Sequence, residues 1–240
     1  FFSFGSVLLS LLLMSDKGFS SFSSGFVISL IYGHLKKKYQ YKMRKIDEIL
    51  IGTNNNGKYK ELSDLLPKKI KKYSPKKFKI LSPKENGKSF EENSFIKASY
   101  FSKKTNLVCL ADDSGLEIDL LKAAPGIYSA RWGGIKNNFN KAIKKVFEEM
   151  NKIKKDWKNE NTARFVCCLT LFWPDGKSYL SKGIVQGKIL TKKKGNKGFG
   201  YDPIFVPNGY NKTFGEMVPN LKMSIDHRFK AFVKIKKFFN

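Results

Sequence analysis

Residues 46–59 read IDEILIGTNNNGKY. The segment Ile46–Gly52, with the apolar run Ile49-Leu50-Ile51, is followed by a short polar loop and then by helical spacing over Gly57–Leu66. This pattern predicts a buried strand that leads through a tight loop into a helix. The helix is expected to stop before Pro67, because proline disfavours helical backbone in the residue that precedes it. A strand followed by a loop and a helix is typical of α/β domains.

The loop between the strand and the helix suits a phosphate group. It nearly matches the phosphate-binding pattern G-x4-G-K-[ST], with Gly52, Gly57 and Lys58 at the fixed positions. Free N–H groups at a helix N-terminus, together with a lysine, attract phosphate oxygens. However, Tyr59 stands where a P-loop needs the hydroxyl that binds magnesium. The loop therefore predicts a phosphate-binding turn, but not a P-loop NTPase.

The elements expected downstream complete a mixed α/β order with an antiparallel ribbon and no internal linker. They are a strand at Phe78–Leu81, a polar loop at Ser82–Lys88, a helix at Ser89–Lys104 with Ser89 and Glu92 in capping-box register, a strand at Leu107–Leu110, a helix at Asn138–Lys155, strands at Arg164–Trp173 and Lys177–Leu190 joined by a hairpin turn at residues 174–176, a glycine-rich loop at Gly195–Asp202, a short strand at Ile204–Val206 and a final helix from Ile225 to Phe239.

Composition narrows the class of protein. The 240 residues are 41% hydrophobic and 28% charged, which is typical of a globular domain. The net charge of +26 is consistent with polyanions as partners, but because the charge is spread along the chain, a lysine-rich solvated surface is the favoured interpretation. The three cysteines form no CxxC pair, which excludes a zinc knuckle or a disulfide framework and suits the reducing cytoplasm. Only two histidines occur, His34 and His227, so a His-rich metal site is excluded.

Residues 1–45 differ from the remainder, being rich in Phe, Ser and Leu. The apolar runs Val7–Met14 and Phe26–Leu35 are shorter than the roughly 18 to 20 residues that span a bilayer. Two interpretations remain, a weak membrane anchor or upstream sequence with Met43 as the true start. The second is favoured, and the folded domain is expected to comprise residues 46–240.

Adjacent acidic residues follow the strand predicted at Leu107–Leu110, in the run Asp112-Asp113-Ser114-Gly115. Neighbouring side chains of a strand point in opposite directions, so the two carboxylates are expected to have different roles. One can hold a hard cation while the other accepts hydrogen bonds from backbone N–H groups. The alternative is an Asp-rich turn that ends at a glycine. Glu85, in the polar loop, is either a second oxygen ligand or simply solvated.

Two further segments carry groups that suit a nucleotide. Gly198–Pro203 combines two glycines, which allow close approach of a ligand, with the aromatic rings of Phe199 and Tyr201 for stacking on a base. Lys222 and the run Asp226-His227-Arg228 lie near the start of the final helix, where their donors suit a purine carbonyl or a phosphate. Each segment alone is equally consistent with a packed turn or a surface feature.

Together and in this order, the segments resemble the inosine/xanthosine triphosphate pyrophosphatase family. The resemblance covers residues 46–240 and none of 1–45. It rests on Thr53-x-Asn55-x-x-Lys58, Glu85-x-Gly87, Phe90-x-Glu92-Asn93, Lys97-Ala98, Ala111-Asp112-Asp113-Ser114-Gly115-Leu116, Pro125-Gly126-Ile127-Tyr128-Ser129-Ala130-Arg131, Gly198-Phe199-Gly200-Tyr201-Asp202-Pro203-Ile204-Phe205 and His227-Arg228.

The resemblance implies an elongated mixed α/β sheet with flanking helices, two lobes around a central cleft, and a homodimer. It also implies hydrolysis of ITP, dITP and XTP to the monophosphate and pyrophosphate. The metal would be Mg²⁺, held by Glu85 and Asp113, and Asp113 would also accept the proton of the attacking water. The substrate-binding residues implied by the resemblance are Thr53, Asn54, Asn55, Asn56, Gly57 and Lys58 for the triphosphate, Ser114, and then Phe199, Gly200, Tyr201, Asp202, Lys222, His227 and Arg228 around the base and sugar.

Two departures from the family pattern bear on specificity. Asp226 stands where a serine is usual, and Lys197 stands where a glycine is common. Because of Asp226, the alternative of a related pyrophosphatase that acts on other modified nucleotides stays open. A lysine-rich nucleic-acid-binding module is the alternative from another class, but it has no use for the carboxylates of Glu85 and Asp113. For residues 46–240 we therefore expect a nucleotide partner, and neither a specific nucleic acid nor a membrane.

Overall fold

The computed structural model describes residues 45–134 and 138–239. Both interpretations of the N-terminal stretch, as an anchor or as upstream sequence, concern residues that lie outside this description. Across the ranges described, no helix has the length and apolar character needed to cross a bilayer.

Six strands and five α-helices make up the part of the chain that the structure describes. The strands are β1 (Glu48–Ile51), β2 (Lys71–Tyr73), β3 (Cys109–Ile118), β4 (Thr162–Phe172), β5 (Ser178–Ile189) and β6 (Phe205–Pro207). The α-helices are α1 (Asn56–Leu65), α2 (Phe90–Thr105), α3 (Phe139–Ile153), α4 (Pro219–Ile225) and α5 (His227–Ile235). Short 3-10 turns lie at Pro75–Phe78, Asp119–Leu121, Gly126–Tyr128, Asp202–Ile204 and Lys236–Phe239.

The strands form one mixed sheet in the order β2-β1-β3-β4-β5-β6. β1 pairs in parallel with β2 on one side and with β3 on the other, whereas the remaining pairs are antiparallel. After β1 the chain therefore goes first to one neighbour and then, through α2, to the other. In α/β sheets, ligands bind outside the carboxyl ends of strands where the strand order reverses in this way. The loop after β1 lies at this point.

Helices cover both faces of the sheet because successive side chains of β1 point to opposite sides. Ile49 and Ile51 pack with Leu62 of α1 and with α5 on one face. Leu50 packs with Phe101 of α2 on the other face. A further apolar cluster joins α3 to the antiparallel half of the sheet. The predicted mixed α/β sheet with flanking helices is confirmed.

Several local predictions are confirmed. Ser89 caps α2, since its Oγ accepts the N–H of Glu92 at 3.1 Å, as the capping-box register predicts. The carboxylate of Glu92 accepts the N–H of Lys88 at 2.8 Å, which draws the preceding polar loop onto the helix. The long strands β4 and β5 form the expected hairpin, paired from Phe172 with Ser178 onward.

The strand predicted at Phe78–Leu81 is wrong. The second strand is Lys71–Tyr73, and Pro75–Phe78 forms a 3-10 turn that ends at Lys79 with a left-handed backbone (φ 55°). β2 is an edge strand whose pairing with β1 positions it. Since its lysines need no apolar alternation for that pairing, the hydrophobic pattern did not reveal it.

Two other elements differ from their predicted bounds. The run Asp112–Gly115 is not a turn, because β3 continues through it to Ile118 and pairs with β4 at every residue. The final helix, predicted from Ile225 to Phe239, is α5 followed by the 3-10 turn at Lys236–Phe239, and α4 before it was not predicted. The carboxylate of Asp226 accepts the N–H of Phe229 at 2.8 Å and so starts α5.

Gly183 on β5 allows α5 to approach the sheet closely, because a Cβ there would overlap the backbone of His227 and Ala231. We expect Gly183→Ala to lower the free energy of unfolding by about 1–3 kcal/mol, since the helix must move away. Gln186→Ala, at an exposed position of the same strand, should cost less than about 0.5 kcal/mol. Urea unfolding of the two variants tests this, and equal midpoints would contradict the close approach.

Candidate active site

The loop after β1 winds tightly around the N-terminus of α1. Asn55 caps the helix, since its Oδ1 accepts the N–H of Lys58 at 3.1 Å. The N–H of Asn55 in turn donates to Oγ1 of the buried Thr53 at 3.2 Å. Asn54 Nδ2 donates to Ser82 Oγ at 2.9 Å, which ties the loop to the next polar segment. The first-turn N–H groups of such a helix suit an anion.

Asp112 is the fully buried anchor of the site. Its Oδ2 lies 3.2 Å from Nζ of Lys58 and 2.9 Å from Nη2 of Arg228. Burial alone would raise the pKa of Asp112, but these two cations outweigh it and hold the pKa far below its usual range. Ser114 Oγ donates to the same carboxylate at 3.1 Å and accepts from Arg228 at 2.9 Å. Asp112 is therefore a buried anion that holds Lys58 and Arg228 together.

Glu61 extends this network toward α4. Its carboxylate forms ion pairs with Arg228 and with Lys222, the latter at 2.6 Å, and Lys222 also lies 2.9 Å from Asp202 Oδ2. Sequence reasoning missed Glu61. Its spacing of three residues from Lys58 on α1 was the available signal, because residues i and i+3 share a helix face. The network joins α1, α4, α5 and the β5–β6 connection.

A second charged group lies on the other side of β3, as expected for adjacent residues of a strand. Lys97 Nζ is 3.0 Å from Glu85 Oε2 and 3.1 Å from Asp113 Oδ1. Burial raises the pKa of Asp113, and its Oδ2 is buried without a hydrogen-bond partner among the described residues. Lys97 belongs to the motif Lys97-Ala98, on which the family resemblance partly rests, but it was not predicted as a site residue.

The donor set of this group fits a magnesium ion. Two carboxylates converge on one ammonium, which shows that the fold stabilises positive charge between them. Within residues 45–134 and 138–239, no cluster of three or more His, Cys, Asp or Glu side chains could hold a metal. Mg²⁺ commonly binds through one or two carboxylates, with water and substrate phosphates as its other ligands. Glu85 belongs to the loop before α2, and Asp113 belongs to β3.

The glycine-rich loop is closed by Asp202. Its Oδ2 accepts the N–H of Phe199 at 2.9 Å, and Gly198 and Gly200 adopt the positive φ values that the turn requires. The ring of Tyr201 is buried and packs edge-on against Phe139, while its hydroxyl donates to a backbone carbonyl. Tyr201 therefore does not offer the free stacking face that its sequence position suggested.

His227 is buried against an aromatic ring of β4. It stacks on Phe165 with ring centroids 4.8 Å apart and an interplanar angle of 10°. Burial, reinforced by the charges of Arg228 and Lys222, keeps the pKa of His227 well below its usual value. In the part of the chain that the structure describes, His227 Nδ1 and Arg228 Nε are buried without hydrogen-bond partners.

Two cavities meet at Phe199. The smaller has a volume of about 40 Å³. It is lined by Phe199 and by nine other residues that were also predicted to bind substrate. The larger, about 290 Å³, is lined by Gly57, Glu61, Phe199, Lys222 and neighbouring residues. Asn54 and Asn56 are exposed on the loop beside them. The nine residues of the smaller cavity are Asn55, Lys58, Ser114, Gly200, Tyr201, Asp202, Lys222, His227 and Arg228.

Comparison with known proteins identifies the family of this chain. The Ham1 family model matches residues 49–238. This chain belongs to the Ham1 family. A dITP/XTP pyrophosphatase of Zymomonas mobilis is 40% identical over 197 residues, covering 81% of this chain and 93% of the relative. A dITP/XTP pyrophosphatase of Bartonella quintana is also 40% identical, covering 77% and 92%.

Solved Ham1 structures have the same fold as this family member. The Staphylococcus aureus Ham1 protein aligns with a TM-score of 0.70 and 34% identity, over 80% of this chain and 97% of that one. A HAM1 protein from Coxiella burnetii aligns with a TM-score of 0.72 and 33% identity, over 79% and 96%.

Of the two departures noted in the sequence, Asp226 has a structural explanation. Asp226 caps α5, a task that serine also performs, so the substitution preserves the helix start. Its burial raises the pKa of Asp226 to about 6, and the charge of Glu61 adds to this effect. The backbone N–H of Lys197 donates to the carbonyl of Gly215 at 2.9 Å, which anchors one side of the glycine-rich loop.

We expect Asp112→Asn to lower the free energy of unfolding by about 3 kcal/mol, because it leaves Lys58 and Arg228 without their shared buried anion. Asp119→Asn removes a half-exposed partner of Arg164 and should cost less than about 1 kcal/mol. Chemical denaturation at neutral pH compares them. Similar losses from the two variants would show that the buried network is not a principal source of stability.

Proposed function

We propose that this Ham1-family chain hydrolyses the deaminated purine nucleotides ITP, dITP and XTP to the monophosphate and pyrophosphate, and so clears them from the nucleotide pool. Its class is nucleoside-triphosphate pyrophosphatase, the activity that its curated relatives carry in their names. The observation that carries the proposal is that Lys58 joins the turn after β1 to Asp112 on one face of β3, while the carboxylates of Glu85 and Asp113 meet at Lys97 on the other face.

The triphosphate binds at the loop of residues 53–58. Backbone N–H groups at the start of α1 and the ammonium of Lys58 supply positive charge that is in place before the reaction starts. Asp112 holds Lys58 in position, so the cation needs no reorganisation as negative charge moves onto the leaving pyrophosphate. Such preorganised charge stabilises a transition state more than a ground state.

Proton transfer is assigned to Asp113. Glu85 and Asp113 would hold Mg²⁺, which when bound neutralises phosphate charge and makes water more acidic. Asp113 Oδ1 accepts a hydrogen bond from Lys97, and Oδ2, which has no partner among the described residues, would accept the proton of the attacking water. A buried carboxylate that faces other anions holds a proton more readily than a solvated one.

Base selectivity follows from the hydrogen-bonding groups at α5. Hypoxanthine and xanthine present a carbonyl oxygen where adenine presents an amino group. The buried Nε–H of Arg228 has no partner among the described residues and can donate to that oxygen. Adenine would leave the donor unpaired, a penalty that can reach about 10⁴-fold discrimination.

We further propose that residues 46–240 are the catalytic domain, and that it acts as a homodimer in the cytoplasm. The resemblance of the ordered motifs supports the dimer. Free thiols at Cys109, Cys167 and Cys168 support a reducing compartment.

The activity is tested by pyrophosphate release from ITP, XTP, ATP and GTP, with and without Mg²⁺. We expect rapid, magnesium-dependent release from ITP and XTP. Release should be far slower from ATP, which lacks the carbonyl oxygen, and from GTP, which shares that carbonyl and is rejected only if the site excludes its 2-amino group. Equal turnover of the four nucleotides would contradict the assigned selectivity. Release from modified pyrimidine nucleotides alone would show that the substrates are not deaminated purines.

Asp113→Asn should lower kcat by about 10³-fold or more, because the amide cannot accept the proton of water. Circular dichroism and thermal unfolding verify that the variant folds. Glu91→Gln, which alters a partly exposed ion pair with Lys182 elsewhere on α2, is the control and should retain activity. Activity retained in Asp113→Asn would assign the base to another residue.

A further inference from the structure

An exposed lysine outside the recognised motifs lies at the phosphate loop. Lys76, in the 3-10 turn after β2, directs its ammonium to Oδ1 of Asn56 at a distance of 3.0 Å. Asn56 is the first residue of α1, where the backbone N–H groups have no partner within the helix. Lys76 therefore adds a full positive charge at the helix end that is assigned to the triphosphate.

The hydrogen-bond partner of Lys76 is a neutral amide, so this contact does not offset the positive charge of the lysine. Lys71 pairs with Glu48 and Lys60 pairs with Asp64, so carboxylates already offset their charges. Lys77, the next residue in the same turn, lies over the ring of Tyr73 with its ammonium 4.1 Å from the ring centroid. Lys76 thus faces the loop, whereas Lys77 faces an aromatic side chain on β2.

Sheet order determines which part of the nucleotide Lys76 can meet. The base-binding loop connects β5 to β6, Asp113 lies on β3, and the phosphate loop follows β1. β2 is the outer neighbour of β1, on the side opposite β3, and both strands end at the same edge because they are parallel. A nucleotide with its base beyond β5 therefore extends its last phosphates toward β2.

We propose that Lys76 binds the distal phosphates of the substrate, those that leave as pyrophosphate. This inference rests on the proposed function and deepens it, because it assigns recognition of polyphosphate length to a residue beyond the phosphate loop. In the bound state the ammonium moves from the neutral amide of Asn56 to phosphate oxygens, which are stronger acceptors.

The test compares Lys76→Ala, Lys76→Arg and the matched control Lys77→Ala in the full chain. Three quantities are measured for each: KM for ITP, and the inhibition constants for inorganic tripolyphosphate and for IMP. Lys76→Ala should raise KM for ITP and the inhibition constant for tripolyphosphate by about 3- to 10-fold, the effect of losing one charge-assisted contact at an exposed site. The inhibition constant for IMP, which has no distal phosphates, should change less than about twofold.

Charge restoration and salt provide independent readouts. Lys76→Arg should recover most of the affinity for tripolyphosphate, and Lys77→Ala should match the unmodified chain. The difference between Lys76→Ala and the unmodified chain should shrink in about 1 M salt, where exposed charges are strongly screened. A structural role for Lys76 would predict neither the arginine rescue nor the salt effect.

Failure of this inference is distinguishable from failure of the proposed function. If the unmodified chain releases pyrophosphate from ITP but Lys76→Ala behaves like Lys77→Ala, the inference is overturned and the function stands. An equal loss of affinity for IMP and tripolyphosphate would also overturn it. If the unmodified chain does not turn over ITP, the proposed function fails, and calorimetric binding of tripolyphosphate still decides the role of Lys76.

Discussion

Asp112 on β3 and Arg228 on α5 lie 2.9 Å apart with almost no exposure to solvent. A buried ion is tolerated only when an opposite charge and hydrogen bonds compensate for lost hydration. Lys58 and Glu61 supply that compensation from α1, and Lys222 extends it to Asp202. The same contacts that allow these charges to be buried hold the phosphate loop, β3 and α5 in one arrangement.

The strand β3 separates this network from the charged group formed by Glu85, Lys97 and Asp113. Because successive side chains of a strand point to opposite sides, Asp112 and Asp113 have different partners although they are adjacent. Cations keep Asp112 ionised, whereas burial raises the pKa of Asp113, whose second oxygen has no partner in the described residues. The pairing of β3 with β4 on both sides of these residues fixes the division of roles.

Sequence patterns predicted the elements whose signals are local. β1, α1, the Ser89 cap and the β4–β5 hairpin follow from apolar periodicity and turn chemistry within a few residues. The patterns did not reveal β2, whose position depends on pairing with β1, or the continuation of β3 through its acidic run. Those features depend on distant partners that a short window of sequence does not contain.

In the candidate site, too, sequence patterns did not reveal features that depend on distant partners. The ordered motifs named the residues that converge at Phe199, and the smaller cavity brings nine of them together. Glu61 and Lys97 were missed as site residues because their importance comes from ion pairs across the fold, with Arg228 and with Glu85. The sequence did not show that the ring of Tyr201 is buried or that its hydroxyl donates to the carbonyl of Ser129. Roles that depend on tertiary contacts therefore required the structure.

The central claim is that Glu85 and Asp113 form a cation site that faces the bound triphosphate, with Lys97 marking its position. A crystal of the Asp113→Asn variant would alter one ligand, so the direct measurement uses the unmodified chain with a non-hydrolysable ITP analogue and Mn²⁺. Anomalous diffraction should show manganese within coordination distance of both carboxylates and of a phosphate oxygen. Nucleotide bound without manganese at these carboxylates, and with Lys97 still bridging them, would contradict the account.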